Sequence, residues 1–357
     1  MTRSNLRSYS MLGALVLMGL VSALLTGGVF VRPDNLMNLA VQVSVNGVLA
    51  VGMTLIIMTG GIDLGVGSML ALIGVAAAKV FGLGGGAVAA IVVALAAGLL
   101  VGAWNGFFLT RLGLPPFIVT LGTMTIARGL ALVMSEERAL PIVNHAFYQL
   151  GNANVPRVAA LAALGLMAAY GLWTHLRSAN RNWLHLALTL AGLALAGWVL
   201  GDPSVEGLPM TVVIFAVVAA AGSFVLNRSR FGRHLRAIGG NASAAALSGI
   251  NVRRTLFLDY ALMGLLAAVA ALLLASRLAS GVPTAGNMAE LDAIAAVVIG
   301  GTSLAGGSGT VGGTLVGAFI IGLLNNVLVL MNVQSNFQYI IKGLIIMGAV
   351  LLDVRKK

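Results

Sequence analysis

Few residues in this sequence have the types and spacing that catalysis, metal binding or nucleotide binding requires. The segment GSGTVG, residues 307–312, matches the Gly-x-Gly-x-x-Gly pattern, but no βαβ unit surrounds it and no acid follows at the required distance. No lysine stands between a glycine and a hydroxyl residue, which excludes a Walker A loop. Cysteine is absent, and the four histidines, at positions 145, 175, 185 and 234, lack metal-ligand spacing. We therefore predict that the chain is not an enzyme and holds no metal or cofactor of its own.

Three acids lie inside or beside strongly apolar stretches, where a charged side chain is expensive and therefore often functional. Asp63 follows such a stretch and precedes another. It either contacts a ligand or caps the helix that follows, because a carboxylate satisfies free amides at a helix start. Asp259 and Asp292 stand near the ends of their stretches, and we expect both at a membrane interface.

Composition indicates that these residues are positioned by membrane helices. The chain has 357 residues, of which 59% are hydrophobic and 9% charged, against about 25% charged in soluble domains. This excludes a cytosolic enzyme, a disordered scaffold and a nucleic-acid binder. A helix needs about 20 apolar residues to cross a bilayer. We predict an all-α membrane helix bundle, a single domain over residues 1–357, with about twelve spans at 9–31, 36–59, 66–81, 87–110, 117–134, 158–176, 183–200, 210–226, 255–276, 291–304, 311–331 and 337–352.

The basic residues predict the orientation of the bundle. With the N-terminus inside, 14 of the 21 basic residues fall in inner loops and termini, five fall outside and two, Arg128 and Lys342, fall within spans. Short loops rich in lysine and arginine stay on the cytoplasmic side of a membrane. Both termini are therefore predicted to be cytoplasmic.

One inner loop, residues 227–254, holds six of these basic residues. Charge alone would make it an orientation anchor and nothing more. However, a short Ala-rich helix is predicted at 242–248, between a break at Gly239 and Gly240 and a turn at Gly249, with Asn241 as its N-cap and Leu247 and Ile250 as apolar contacts. A helix this short is unstable alone, so we expect it to dock on a partner.

Two glycine-rich segments resemble each other. GGIDLGVGS at 60–68 and GGTSLAGGS at 300–308 align without gaps and share five residues, and each ends a span that runs inward. They are either unwound helix segments of a transporter core, where irregular backbone faces protein or a water-filled cavity, or turns between consecutive helices. The remaining glycines include Gly98, Gly102 and Gly106 at four-residue spacing, which predicts close helix contacts.

Polar residues on otherwise apolar spans are candidates to line a route for a hydroxyl-rich solute, although each could instead bond one helix to another. The predicted set is Asn46, Asp63, Ser68, Asn105, Thr120, Thr123, Ser303, Asn325 and Asn326.

Four motifs, in order, resemble the permeases of ATP-binding cassette (ABC) importers of the ribose and xylose type. They are GGIDLGVGS at 60–68, PPFIVTLGTMTIARGL at 115–130, FGRHLRAIGGNASAAALSGINV at 231–252 and ELDAIAAVVIGGTSLAGGSGTVGG at 290–313. The resemblance covers most of the chain. It is closest to xylose-type permeases, because residues 158–200 add two spans that the shorter ribose-type permeases lack.

The resemblance implies a bacterial inner-membrane permease that acts as a homodimer. Its partners would be an ATPase subunit with two nucleotide domains, which uses ATP and magnesium, and a periplasmic protein that delivers a monosaccharide such as xylose to the outer loops 135–157 and 279–289. The inner loop would couple the permease to the ATPase through the residues that match the family motif, namely Gly232, Arg233, Ala237, Gly239, Gly240, Asn241, Ala245, Leu247, Ser248 and Gly249.

Two other functions stay open. A branched-chain amino acid permease would share the architecture but receive a different binding protein. A proton-coupled secondary transporter would titrate Asp63 or Asp259 and would need no ATPase.

Overall fold

Alternation of long apolar stretches with short polar connections produces a helical bundle. The computed structural model describes residues 3–177 and 183–354, so that the predicted inner charges Arg181, Arg355, Lys356 and Lys357 lie outside the described residues. Within those ranges the helices are α1 (Arg3–Leu25), α2 (Pro33–Met58), α3 (Val66–Gly82), α4 (Ala87–Arg111), α5 (Pro116–Ser135), α6 (His145–Asn152), α7 (Arg157–Arg177), α8 (Trp183–Gly201), α9 (Met210–Arg228), α10 (Arg230–Gly240), α11 (Ala242–Leu247), α12 (Val252–Leu278), α13 (Ala289–Ile299), α14 (Val311–Leu330) and α15 (Ser335–Val354).

Each of the predicted spans overlaps one of these helices, although the span 9–31 runs past the end of α1 at Leu25. Among the described residues, six helices are long and apolar enough to cross a membrane, namely α2, α4, α5, α9, α12 and α14. Shorter apolar helices include α3 and parts of α1, α7 and α8. The predicted span 291–304 is too long at its inner end, because α13 stops at Ile299 and Gly301 adopts a φ of 89°.

Helix α2 forms the centre of the core. Every residue from Gly47 to Met58 is buried, and the helix packs against α9, α12, α13 and α14. A helix that is apolar on all sides is expected in such a position, because each face meets another helix.

Glycines allow α4 and α12 to cross closely, as their spacing predicted. A Cβ at Gly98 would overlap the carbonyl oxygen of Gly264, and a Cβ at Gly102 would overlap that of Tyr260. These contacts lie inside one subunit, which the spacing alone left undecided. The same holds for Gly317 of α14, which faces the carbonyl oxygen of Ala296 in α13.

We call the end of the bundle that carries α10 and α11 the inner end, and the opposite end the outer end. The outer connections form four short strands, β1 (Leu140–Pro141), β2 (Asn154–Pro156), β3 (Gly207–Pro209) and β4 (Ser280–Gly281). Strand β1 pairs with β4 and β2 pairs with β3, both antiparallel. These strands and α6 were not predicted, since pairs of two or three residues depend on loops that are distant in sequence.

The additional pair of spans predicted at 158–200 corresponds to α7 and α8, which pack on each other. Their outer ends form a small apolar cluster of Ala160, Val199 and Leu200 against Leu36 and Met37 of α2. The pair is thereby joined to the core near the outer end.

Candidate coupling and translocation sites

The inner segment 227–254 folds into two short helices with defined caps. The hydroxyl oxygen of Ser229 accepts a hydrogen bond from the amide of Gly232 at 3.0 Å and starts α10. A Cβ at Gly232 would overlap the carbonyl oxygens of Val225 and Leu226, so that α10 turns tightly away from α9. Leu235 and Ile238 are buried, which anchors α10 to the bundle.

The predicted N-cap of α11 is confirmed. The side-chain oxygen of Asn241 accepts a hydrogen bond from the amide of Ala244 at 2.9 Å. Residues Gly239 and Gly240 remain helical, so the break predicted there lies instead at Asn241, whose backbone is extended. Ala245 is buried, whereas Leu247 is 92% exposed. The helix therefore presents a large apolar side chain outward, and the predicted apolar contact of Leu247 is not made within the described residues.

The end of α10 contacts the last residue of α2 and the second glycine segment, which in turn contacts the first. The amide of Gly307 donates a hydrogen bond of 2.9 Å to the carbonyl oxygen of Met58, and a Cβ at Gly239 would overlap both of these atoms. An added Cβ at Gly306 would lie 2.9 Å from the amide nitrogen of Gly60. The two resembling segments thus meet each other and α10 through backbone atoms, at the inner end of the bundle.

Each glycine segment joins two separate helices, α2 to α3 and α13 to α14. This agrees with the interpretation as turns between consecutive helices rather than unwound turns within one helix. In the second segment Ser303 makes a local turn, since its amide bonds the carbonyl oxygen of Ser308 at 2.9 Å and its hydroxyl accepts from the amide of Ala305 at 3.3 Å.

Asp63 organises the first segment. Its carboxylate is fully buried and accepts a hydrogen bond of 2.8 Å from the amide of Gly65, directly before α3 begins. The amide of Asn105 approaches its other oxygen at 3.5 Å, and the hydroxyl of Thr123 donates to Asn105 at 2.5 Å. Thr120 bonds the carbonyl oxygen of Ile62 at 3.3 Å. Four predicted residues, Asp63, Asn105, Thr120 and Thr123, are therefore brought together as a buried chain that ties this turn to α4 and α5.

A separate polar cavity of about 270 Å³ lies among α2, α3, α12, α13 and α14. Of the predicted route residues it includes Asn46 and Asn325, and the residues that line it are Gln42, Val45, Asn46, Leu70, Leu274, Arg277, Gly286, Asn287, Ala289, Asp292, Gly322 and Asn325. Amide side chains each offer donors and an acceptor, so this wall matches a hydroxyl-rich ligand. Gln42 was missed, although it stands four residues before Asn46 and therefore on the same helix face.

One residue of the cavity wall, Asp292, belongs to an ion pair. Lys342 of α15 lies 3.0 Å from the carboxylate of Asp292, and the amide of Asn325 donates to the same oxygen at 3.1 Å. Asp292, which we expect at a membrane interface, is buried within the bundle and paired with Lys342. Among the residues that line the cavity, Arg277 is the other charged one.

The remaining predicted route residues do not line the cavity. Asn326 exchanges two hydrogen bonds with Asn35 of α2, at 3.0 Å and 3.1 Å, so it bonds α14 to α2. Ser68 is buried in the first turn of α3.

Asp259 and Arg128 are also buried or paired inside the bundle. Asp259, expected near an interface, is 1% exposed, and its two carboxylate oxygens have no hydrogen-bond partner among the described residues. Arg128 donates to the carbonyl oxygens of Pro283 and Ala285, at 2.6 Å and 2.9 Å, and so fastens the outer loop after β4 to α5. No group of three histidine, aspartate or glutamate side chains that could hold a metal occurs among the described residues.

Known proteins match this chain over nearly its whole length. The xylose transport system permease protein XylH of Escherichia coli (strain K12) is 41% identical over 368 aligned residues, which cover 99% of this chain and 93% of the relative. XylH of Haemophilus influenzae is 37% identical over 367 aligned residues, which cover 99% of this chain and 97% of the relative. The ribose import permease protein RbsC of Escherichia coli (strain K12) is 40% identical over 349 aligned residues, which cover 98% of this chain and 94% of the relative. No solved structure matches.

These matches confirm the resemblance to ribose- and xylose-type permeases and agree with the prediction of a permease rather than an enzyme. A family model described as branched-chain amino acid transport system / permease component matches residues 35–350. The chain belongs to this family of transport permease components.

Proposed function

We propose that this chain is the membrane permease subunit of an ABC importer for a monosaccharide, and that this monosaccharide is an aldopentose such as xylose. The position of α10 and α11 is the observation that supports the proposal. A capped helix with Leu247 exposed is joined, through Gly239, to the point where the two glycine segments meet. This position suits a subunit that is moved by a partner. The names of the relatives, which describe xylose and ribose permeases, support the sugar class.

Coupling would run through the backbone. A cytoplasmic ATPase subunit with two nucleotide domains would bind α11 at Leu247 and move α10 when ATP binds. Because Gly239 meets Met58 and Gly307 without an intervening side chain, little of that motion would be absorbed by rotamer changes. Movement of α10 would then shift the inner end of α2 against the start of α14.

The sugar would pass the polar cavity on its way inward. Gln42, Asn46 and Asn325 offer amide groups that can exchange hydrogen bonds with successive hydroxyl groups. A solute that has already been captured outside needs only weak and transient contacts in the pathway. This requirement fits a cavity whose acid, Asp292, is already bonded to Lys342 of α15, so that Arg277 is the other charged residue among those that line it.

The outer face would receive the sugar-binding protein. The two loops predicted for this role, 135–157 and 279–289, are joined by the β1–β4 ladder, in which Leu140 pairs with Gly281. They would therefore act as one surface rather than as two mobile loops.

The full proposal places about twelve spans in a bacterial inner membrane, with both termini cytoplasmic and two copies of the chain side by side. The positive-inside bias supports the orientation. ATP and magnesium would be bound by the partner subunit.

Reconstitution tests the proposal. The full chain is placed in liposomes with a candidate ATPase subunit and a candidate sugar-binding protein, and ATP hydrolysis and xylose uptake are measured with and without sugar. We expect hydrolysis that sugar stimulates and that is lost when residues 240–247 are replaced by a flexible Gly-Ser segment. Uptake by the chain alone would instead establish a secondary transporter, and stimulation only by a leucine-loaded binding protein would establish an amino acid permease.

A further inference from the structure

A basic groove at the inner end lies beside the coupling residues 232–249 but includes none of them, nor any of the predicted route residues. It has a volume of about 740 Å³ and lies where the end of α4 meets the start of α12. Its walls include three arginines, Arg111, Arg253 and Arg254, and two phenylalanines, Phe107 and Phe257. The three arginine side chains make no ion pair or hydrogen bond with any part of the chain that the structure describes.

The order of charge and apolar surface is the same on both helices. In α4, Phe107 stands one helical turn before Arg111, and in α12, Phe257 stands one turn after Arg253. The two helices enter the bundle from the inner end, so that on both of them the arginine lies at the surface and the phenylalanine about 5 Å deeper. This arrangement matches an amphipathic ligand with an anionic head and an apolar tail.

The positive charge in the groove is not compensated by the fold. Arg253 and Arg254 occupy the first turn of α12, which contains no acid, although the positive end of a helix dipole favours acidic residues there. Segment 227–254 contains no acid at all. An anion from outside the chain is therefore the natural partner of these three side chains.

The walls of the groove are firmly placed. A Cβ at Gly106 would lie 3.0 Å from the carbonyl oxygen of Phe257 and 3.1 Å from its Cα, so α4 and α12 are in direct backbone contact beside it. Phe107 remains 47% exposed. A rigid crossing with an aromatic side chain open to the bilayer offers room for an acyl chain.

We propose that this groove binds an anionic phospholipid of the cytoplasmic leaflet, with its phosphate held by Arg111, Arg253 and Arg254 and an acyl chain against Phe107 and Phe257. Basic pockets between membrane helices on the cytoplasmic side recognise anionic headgroups, and arginine holds phosphate oxygens in a bidentate manner. The lipid would brace the α4–α12 crossing directly beside the coupling segment. This inference goes beyond the proposed function and does not depend on which solute is transported.

Native mass spectrometry of the full chain in detergent tests the lipid. Phosphatidylglycerol and phosphatidylcholine with identical acyl chains are offered at equal concentration to the wild type, to R111Q/R254Q and to R228Q/R230Q. The last variant is the matched control, because it also removes two exposed arginines at the inner end but none from the groove. Size-exclusion profiles and circular dichroism verify that all three are folded.

We expect the wild type to retain phosphatidylglycerol in preference to phosphatidylcholine, and R111Q/R254Q to lose about 25-fold in affinity for phosphatidylglycerol, at about fivefold for each arginine near a charged headgroup. The control should keep the preference. Equal retention of the two lipids by the wild type, or equal losses in both variants, would overturn the proposal without touching the proposed transport function. Displacement of the lipid by millimolar inorganic phosphate would assign the groove to a free anion, and displacement by the ATPase subunit would assign it to that interface; either outcome also overturns it.

Discussion

The backbone amide of Gly307 bonds the carbonyl oxygen of Met58 at 2.9 Å, and Gly239 packs directly on this bond. Met58 ends α2, and the last carbonyl groups of a helix have no partner within it. The second glycine segment supplies one such partner from more than 200 positions away in sequence. The contact leaves no room for a side chain at position 239, so substitutions of Gly239 and of its neighbour Gly240 should have different effects.

Substitution of Gly239 and of Gly240 by alanine should have opposite effects on stability. A Cβ at Gly239 would overlap two backbone atoms, whereas nothing lies within 4 Å of a Cβ at Gly240. We expect G239A to lower the free energy of unfolding by about 1–3 kcal/mol through overpacking, and G240A to raise it by about 0.5–1 kcal/mol through helix propensity. Thermal unfolding in detergent measures both. Equal midpoints for the two variants would show that α10 does not sit on this bond.

Leu247 should bind the ATPase subunit without supporting the permease itself. It is 92% exposed, so L247S should leave the unfolding midpoint unchanged. Burying one leucine contributes about 1.5–3 kcal/mol, and its loss should weaken binding of a purified ATPase subunit by roughly 10- to 100-fold. Val143 is 94% exposed at the outer end and provides the matched control, since V143S removes an equally exposed apolar side chain from the opposite face. A similar loss of affinity in V143S would indicate a nonspecific effect.

Asn46 and Asn326, two predicted route residues, should separate into a transport role and a structural role. Asn46 lines the cavity, and its side chain makes no hydrogen bond with the described residues. N46L should therefore slow sugar uptake by about fivefold, as expected for one lost hydrogen bond, with little change in stability. Asn326 is bonded to Asn35. N326L should cost about 1–3 kcal/mol, because the buried side-chain oxygen of Asn35 loses its donor, while the amide nitrogen of Asn35 keeps its bond to the carbonyl oxygen of Phe30.

Uptake in liposomes and thermal unfolding, measured on the same preparations, distinguish these two roles. If N46L reduced stability as much as N326L, Asn46 would be a packing residue and the cavity would lose its support as the sugar route.

Local features of this fold were predictable from sequence, and contacts between distant segments were not. The cap at Asn241 and the approximate positions of the apolar helices depend on neighbouring residues, and both were predicted. The pairing of Lys342 with Asp292, 50 positions apart, and of Asn326 with Asn35, 291 apart, depends on how the helices are arranged. Hydropathy alone does not determine that arrangement.

The missed part of the cavity shows the same limit. Gln42 could have been found from its four-residue spacing to Asn46, because both lie on one face of α2. Arg277 and Asn287 could not, since they reach the cavity only because the end of α12 and the loop after β4 fold back toward α2. The junction of Gly60, Gly239 and Gly306 was likewise hidden, although all three belong to motifs that the sequence analysis had singled out.

Asp63 offers the sharpest test between the mechanisms that the sequence left open. Its carboxylate accepts a hydrogen bond from the amide of Gly65 and receives the amide of Asn105, which is a structural arrangement. Aspartate and asparagine side chains both accept a hydrogen bond from the backbone amide two residues on, so D63N should keep most of the ATP-dependent uptake. D63A should lower the free energy of unfolding by about 1–3 kcal/mol, because the buried amide of Gly65 loses its acceptor. A proton-coupled transporter would behave differently: D63N would fold normally and abolish uptake, and uptake by the wild type would follow a pH gradient without the ATPase subunit.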